Sequence, residues 1–413
     1  MKARSLLQMT ACAVLFVSAL VLYRVHFDAE GTLRNLGYES TALATSLLDN
    51  HAFADPFRVP TGPSAFLAPV YPVLIAVIMF LFGTGAKGIF ALQWTVTVLI
   101  ALQMAAWPWI AEKVRVGCLA GFVAAVVWLL SNMPRNDVWE AHLAGLLFVL
   151  LALAMVRATE APSWQRSMAS GLFWGVTLLC APIALLVLLA WGMWVSVTRR
   201  LRPKLLGLLL LSAAAVVTPW MARNYVVFHH VVYVRDNFGL ELEIDNNNCA
   251  SYLFELNQYS GCYGSIHPND SRTQAASVQR LGEVEFDRQQ MAAAEKWIWG
   301  NPWRFAELCM QRAAAFWAPA AMPYMGGSNP PRRRWIITIM NVLSIPGLLL
   351  LRKRSPEFTW VCFLFIISYS IPYYLVQHIE RYVIPLLWAT FLPAAYVLVE
   401  VGRRILRQSE MVI

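Results

Sequence analysis

TGPSAFLAPVYPVLIAVIMFLFG, residues Thr61–Gly83, decides how this chain is arranged. If the stretch crosses a membrane, the loops that follow change sides. Its apolar part, Leu67–Phe82, is only 16 residues long, contains Pro69 and Pro72, and follows Pro63. Proline removes a helix hydrogen bond and disfavours helix in the residue before it. About 20 apolar residues are needed to cross a hydrocarbon core of about 30 Å. The stretch is therefore expected to enter the outer leaflet and remain on that side.

The rest of the 413-residue chain sets the frame for that reading. It is 58% hydrophobic and 14% charged, too little polar surface to cover a soluble protein of this size. Leu6–Tyr23, Gly88–Ile110, Gly117–Leu130, Trp139–Val156, Leu205–Met221, Trp335–Leu351, Phe358–Leu375 and Val383–Val401 are apolar runs of spanning or near-spanning length. Each is a helix candidate, because an open sheet edge cannot be satisfied in lipid. The first run follows Lys2 and Arg4. It is too long for a signal-peptide core and lacks a clear cleavage site, so it reads as a membrane helix.

Charge gives the orientation. Arg199, Arg200, Arg202 and Lys204 form one basic loop, Arg352, Lys353 and Arg354 a second, and Arg403, Arg404 and Arg407 a third. This is the positive-inside pattern, which accounts for the net charge of +9 without any nucleic-acid partner. Arg332, Arg333 and Arg334 run against it, at the far end of a long polar segment where the rule is weak. Met168–Val197 is 30 residues with Pro182 inside, about 45 Å as one helix. Read as two short helices, it puts Lys113, Arg115, Arg157 and Arg166 inside, with only Lys87 and Arg135 outside. The expected fold is thus an all-α polytopic membrane protein with about ten crossings, juxtamembrane helices in the first external loop, and a small external insert. The regions are an N-terminal bundle over 1–221 with its external loop at 27–87, the insert over 222–334, and C-terminal helices over 335–413. Within the insert, one helix is expected to stop at Gly300 and the next to start at Asn301-Pro302.

The spans carry few ionisable groups, His142 being the main exception, which argues against an ion-coupled transporter. Acids gather in external loops instead: Asp28, Glu30, Glu39, Asp49 and Asp55 in the first, Asp137 and Glu140 in NMPRNDVWE, and Asp236, Glu241, Glu243 and Asp245 in the insert. Arg34, Arg58, Arg223, Arg235 and Arg381 share that side. Carboxylates there could deprotonate an acceptor or hold a divalent metal, and arginines could grip a lipid-linked phosphate. No Cys or His cluster has zinc spacing, and the cofactor stays open. Cys249 and Cys262, with twelve residues between them, could pair in an oxidising compartment.

Four segments carry a resemblance. They are GYESTALATSLLDNHAFADPF with the Pro69/Tyr71-Pro72 run after it, GLFWGVTLLCAPIALLVL, TPWMARNYVVFHHVVYVRDNFGLELEIDNNN, and HIERYVIPLLW. In this order the chain resembles the C superfamily of membrane glycosyltransferases, in particular bacterial proteins similar to glycosyltransferase family 39. The resemblance implies an external active site and a polyprenyl-phosphate-linked sugar donor in the bilayer. It gives Glu39 the role of acid/base or metal contact. The family's Asp-Glu pair is absent: Leu36, Gly37 and Tyr38 precede Glu39, and Ala68 stands where a basic residue precedes the Pro-Pro segment, with Arg58 as the nearest replacement.

The expected site is therefore Glu39 and Asp137 for chemistry, with Arg58, Arg223, Asn224, Glu241, Asn246 and Arg381 binding substrate. Glu39 would activate an external glycan, lipid or protein acceptor, while Arg223 and Arg381 hold the leaving phosphate. The location is the inner or plasma membrane with the active face outside, periplasmic in a Gram-negative cell. The rival from another class is a non-enzymatic scaffold that binds the lipid carrier, or an exporter of a cell-envelope glycolipid.

Overall fold

The computed structural model describes residues 2–25, 38–131, 139–319 and 331–410. Asp137, with Asp28, Glu30 and Arg34, lies outside the described residues. The described chain is helical. It has no strand among the described residues, only isolated bridges at Ala54–Pro63 and Leu253–His378. The first half comprises α1 (Lys2–Val25), α2 (Tyr38–Asp49), α3 (Val70–Phe82), α4 (Ala86–Lys113), α5 (Cys118–Ser131), α6 (Ala141–Glu160), α7 (Trp164–Cys180), α8 (Ala184–Val197) and α9 (Pro203–Phe228). The insert holds α10 (Phe238–Asp245), α11 (Phe254–Tyr259), α12 (Cys262–Ile266), α13 (Arg272–Leu281), α14 (Glu283–Gly300) and α15 (Pro302–Trp317). The last part has α16 (Pro331–Arg354), α17 (Pro356–Ser370), α18 (Pro372–Leu375), two 3₁₀ turns (Glu380–Tyr382 and Ile384–Leu386) and α19 (Leu387–Glu410).

Seven helices among the described residues are long and apolar enough to cross a membrane: Ser5–Tyr23, Ala86–Lys113, Ala141–Glu160, Pro203–Phe228, Arg333–Arg354, Pro356–Leu375 and Glu380–Gln408. This is an integral membrane protein. Shorter apolar helices are α3, α5 and α8.

Contacts give the sense of each helix. Gln8 donates to the Trp109 carbonyl at 3.5 Å, so α1 and α4 run antiparallel, with Lys113 near the start of α1. Gly121 of α5 packs on the backbone of Trp107 and Pro108, and Arg115 pairs with Glu160 at 3.3 Å, so α6 ends where α5 began. Helix α7 climbs from there alongside α9, with Gly171 against Leu209 and Gly175 against Ala213. Arg200 meets Glu357 at 2.6 Å at that same end. One end of the bundle therefore carries the basic loops, and the insert sits at the other.

This frame locates the Thr61–Gly83 stretch. Arg223, near the top of α9, binds the Ser64 carbonyl at 2.7 Å, and the Asp236 amide binds the Ala65 carbonyl at 2.8 Å. Residues 64–65 thus lie at the insert end, and the few residues to Val70 reach at most about 17 Å. The far end of α3 joins the start of α4, also at the insert end. Helix α3, with 13 residues, is about 20 Å long and has both its ends there. The prolines act differently from the expectation. Pro69 is the N-cap and Pro72 sits in the first turn, where amides lack helical partners anyway, so they start this helix instead of breaking it.

Pro182 does break the following pair. Ala181 takes φ −138° and ψ 85°, outside the helical region, as a residue before proline prefers. The α9 helix continues to Phe228, beyond the Met221 boundary read from composition, because Arg223 and Asn224 find polar partners inside the protein. Helix α14 stops at Gly300 and α15 starts at Pro302, where the turn was expected. A second, smaller core joins the two halves of the site: Phe57 and Phe66 from the first loop pack with Leu240, Ile244, Val278 and Phe286 from the insert.

The α7–α9 contact needs glycine. A Cβ on Gly171 would stand 2.2 Å from the Leu209 carbonyl oxygen, a backbone atom that cannot step aside. Gly192 on α8 has nothing within 4 Å of the same position. Gly171→Ala should therefore lower the melting temperature in detergent, by an overpacking penalty of roughly 1–3 kcal/mol. Gly192→Ala should leave it unchanged or raise it. Equal behaviour of the two variants would overturn this account of the helix pair.

Candidate active site at the insert end of the bundle

Glu39 opens the site. It lies in the first turn of α2, where a carboxylate faces the positive end of the helix dipole. Its residue is only 8% exposed, against an exposed Tyr38 beside it. Burial pushes its carboxyl above the usual carboxylate range; its own backbone and Arg381 pull it down, and Glu241 and Glu140 push it up. Glu39, Glu140, Glu241 and Arg381 thus form one electrostatic group, although they come from α2, the start of α6, α10 and the Glu380–Tyr382 turn.

His267 stands next to Glu39, with its Nε2 3.9 Å from Oε1. Burial drops its pKa to about 3, so the ring is neutral. Its Nδ1 accepts the Asn269 amide at 3.1 Å, which leaves the proton on Nε2, the nitrogen that faces Glu39. Tyr263 stacks on the imidazole at 4.8 Å, and Phe57 and Phe66 meet it edge-on. Tyr263 also feels Glu39, Glu241 and Arg381, and its phenol is pushed up, first by burial.

Arg381 supplies the positive charge. Its guanidinium lies 3.7 Å over the Trp139 ring centroid and 5.5 Å from that of Tyr382. Its Nε is buried and has no hydrogen-bond partner among the described residues. Tyr382 in turn stacks on Tyr373 at 4.5 Å, continuing an aromatic wall through Tyr369. Glu241 accepts a hydrogen bond from Asn237 at 3.2 Å, and burial is again the main reason its carboxyl is raised.

The other expected residues go elsewhere. Arg223 has its donors on the carbonyls of Ser64 and Phe53 and on Asn224, and it stacks near Phe53, Trp220 and Phe228. Asn224 donates to the Val232 carbonyl. Through these bonds Arg223 and Asn224 pin the first loop and the segment at Val232 to α9. Asn246 is buried, donating to the Leu242 and Leu375 carbonyls and accepting from Arg312. Arg58 is exposed, 3.5 Å from Asp270 and 5.4 Å from the Tyr38 ring. His378 is buried. Cys249 and Cys262 form a disulfide with Cα atoms 5.7 Å apart.

The sequence alone placed Glu140 among the external acids but outside the expected site, and gave no role to Trp139, His267, Tyr263 and Tyr382. Two had a usable signal. Glu140 shares its short loop with Asp137, and Tyr382 lies inside the quoted HIERYVIPLLW segment. His267 and Tyr263 had none, because their role comes from the path of the insert. Among the described residues, no three His, Cys, Asp or Glu side chains converge to hold a metal ion, and the carboxylate charge is met by Arg381.

No known protein family matches the sequence, and no curated protein sequence matches it. Solved structures do match the fold. The oligosaccharyltransferase of Archaeoglobus fulgidus in the apo form aligns with a TM-score of 0.54 at 12% identity, over 98% of this chain and 52% of that one. The archaeal oligosaccharyltransferase AglB from Archaeoglobus fulgidus, in complex with an inhibitory peptide and a dolichol-phosphate, aligns with a TM-score of 0.52 at 12% identity and the same coverage, 98% and 52%. The chain spans about half the length of these structures.

Proposed function

We propose, from the premise that this chain has the fold of the C superfamily of membrane glycosyltransferases, that it transfers a sugar from a polyprenyl-phosphate carrier to an acceptor at the outer face of the membrane. The observation that carries the reading is the convergence of Glu39 and Arg381. A buried carboxylate with raised basicity and a guanidinium whose buried Nε has no partner among the described residues meet at the insert end. The archaeal relative in fold was solved with a dolichol-phosphate, a carrier of the same chemical class.

The chemistry follows from those groups. Glu39 takes the proton of an acceptor hydroxyl or amine as that atom attacks the anomeric carbon. The bond from that carbon to the carrier phosphate oxygen breaks, and its electron pair stays on the phosphate. Arg381 faces the growing charge of that leaving group with planar donors suited to phosphate. A single displacement inverts the anomeric centre and needs no covalent enzyme intermediate. His267 stands 3.9 Å from Glu39 without competing for the proton, since its ring stays neutral. Glu140 and Glu241 raise the basicity of Glu39. Arg223, Asn224 and Asn246 serve the geometry: they fix the first loop and the insert around the site. Asp137, in the same loop as Glu140, is the second acidic contact in this reading.

Purified protein mixed with radiolabelled polyprenyl-phosphate sugars and candidate acceptors tests the reading. Transfer from at least one donor is expected. Tight carrier binding with no transfer from any donor would instead support the scaffold reading.

Orientation has its own test. The basic end of the bundle belongs inside by the positive-inside rule, so the exposed Lys87 at the start of α4 belongs outside. A cysteine at Lys87 should react with an impermeant thiol reagent in intact cells. Protection there, with labelling only after lysis, would invert the proposed active face.

A further inference from the structure

Arg381 presents an unusual combination. Its head group makes ring contacts and leaves Nε without a hydrogen-bond partner, yet the backbone leading to it is gripped at nearly every residue. The grip comes from the insert. Arg312, fully buried on α15, donates to the Leu375 carbonyl at 2.8 Å, to Asn246 Oδ1 at 3.1 Å, and to the Asp245 carbonyl. Asp245, at the end of α10 and equally buried, accepts the Gln377 amide on Oδ2 at 2.7 Å. Asn257 holds the Gln377 side chain at 2.8 Å, and His378 exchanges backbone hydrogen bonds with Tyr252 and Phe254. On the far side, Arg333 pairs with Glu380 at 3.0 Å, with both side chains under one-tenth exposed.

We propose that Asp245 and Arg312 are the positioning residues for Arg381: a buried acid and base on two helices of the insert that fix residues 375–377 and so aim the Arg381 guanidinium at the phosphate of the carrier. The inference rests on the phosphate role given to Arg381 above and adds the device that sets its geometry. An arginine reaching from an irregular turn has about four rotatable bonds and would lose affinity to its own freedom. Fixing the backbone while leaving Nε without a hydrogen-bond partner among the described residues removes part of that cost before the ligand arrives. A buried Arg is costly unless its donors are occupied, and both Nη groups of Arg312 are, one by the Leu375 carbonyl at the base of the Arg381 turn and the other by the Asp245 carbonyl of α10. Ordinary core packing could be served by an apolar side chain at that position. Charge and a planar fork are needed only if several carbonyls must be held in fixed relation. The Cys249–Cys262 disulfide closes the loop that carries Tyr252 and Asn257, so the same grip is braced covalently.

The experiment measures binding of a polyprenyl phosphate to the full chain in detergent, for wild type, Arg381→Ala, Arg312→Met, Arg312→Lys and the double variant Arg381→Ala/Arg312→Met. Arg312→Lys keeps the charge but cannot reach all three acceptors. It is the gentler change, and it is read in place of Arg312→Met if the latter fails to fold, with Arg381→Ala/Arg312→Lys as the double variant. Arg381→Ala should weaken binding by at least about tenfold, and each Arg312 variant that folds with an unchanged melting temperature should weaken it about three- to tenfold. The double variant should bind no worse than Arg381→Ala alone, because Arg312 acts only through Arg381. Folded Arg312 variants that bind as wild type, or a double variant whose losses multiply, would overturn the positioning role while leaving Arg381 in place. Wild-type binding by Arg381→Ala would overturn both the positioning role and the phosphate assignment beneath it.

Discussion

Glu39→Gln should reduce sugar transfer by about 10²- to 10⁴-fold, the range lost when a positioned general base is removed. Glutamine fills the same space beside the neutral His267 ring, so folding and carrier binding should hold. The pH profile of the wild-type protein gives an independent reading. The base works only when deprotonated, and burial holds the Glu39 carboxyl above its ordinary value. Activity should thus be lost as pH falls through that raised value, with an acidic limb displaced upward from the usual carboxylate range. The limb should be absent from whatever residual activity Glu39→Gln retains. Transfer that is undiminished in Glu39→Gln, or a limb that persists in it, sinks Glu39 as the base. In that event Glu140 and Glu241, which share its electrostatic group, become the candidates.

The way these residues were found shows what a linear reading reaches. The spans were legible because hydrocarbon imposes a length and forbids charge. The break at Pro182 was legible because a proline disfavours helix in the residue before it. The placement of Val70–Phe82 followed from counting lysines and arginines on loops far from it, and the Ser64 and Ala65 contacts reach the same answer by geometry. The site was only partly legible. Glu39 and Arg381 stood inside recognisable segments. Arg223 stood in one too, but a sequence does not reveal that it donates to the Ser64 and Phe53 carbonyls of its own first loop. An arginine that binds its own protein and one that awaits a phosphate carry the same letter. His267 was invisible for a related reason. It meets Glu39 only because Phe57 and Phe66 of the first loop share a core with the insert, a contact more than 200 residues apart in the chain. Such contacts depend on where two irregular segments dock, and no local periodicity encodes that.

Arg381 carries the second large effect, and it separates charge from geometry. Removing one preorganised donor to a developing anion costs about 10²–10³ in rate, so Arg381→Ala should lose at least that much in kcat. A second consequence follows from its neighbours. Arg381 lowers the Glu39 pKa, while Glu241 and Glu140 raise it. Without the guanidinium the raising effect of Glu241 and Glu140 on Glu39 loses its opposition from Arg381, and the acidic limb of the rate profile should move to still higher pH. Arg381→Lys tests the two contributions apart. Lysine restores a positive charge, so the limb should return toward its wild-type position. It cannot restore the planar fork or the stacking at 3.7 Å over Trp139, so the rate should remain well below wild type. A lysine variant with full activity would make Arg381 a simple counter-charge to the acids, with no part in holding the phosphate. An alanine variant whose acidic limb does not move would remove Arg381 from the neighbourhood of Glu39, and with it the shared site on which the transfer reaction depends.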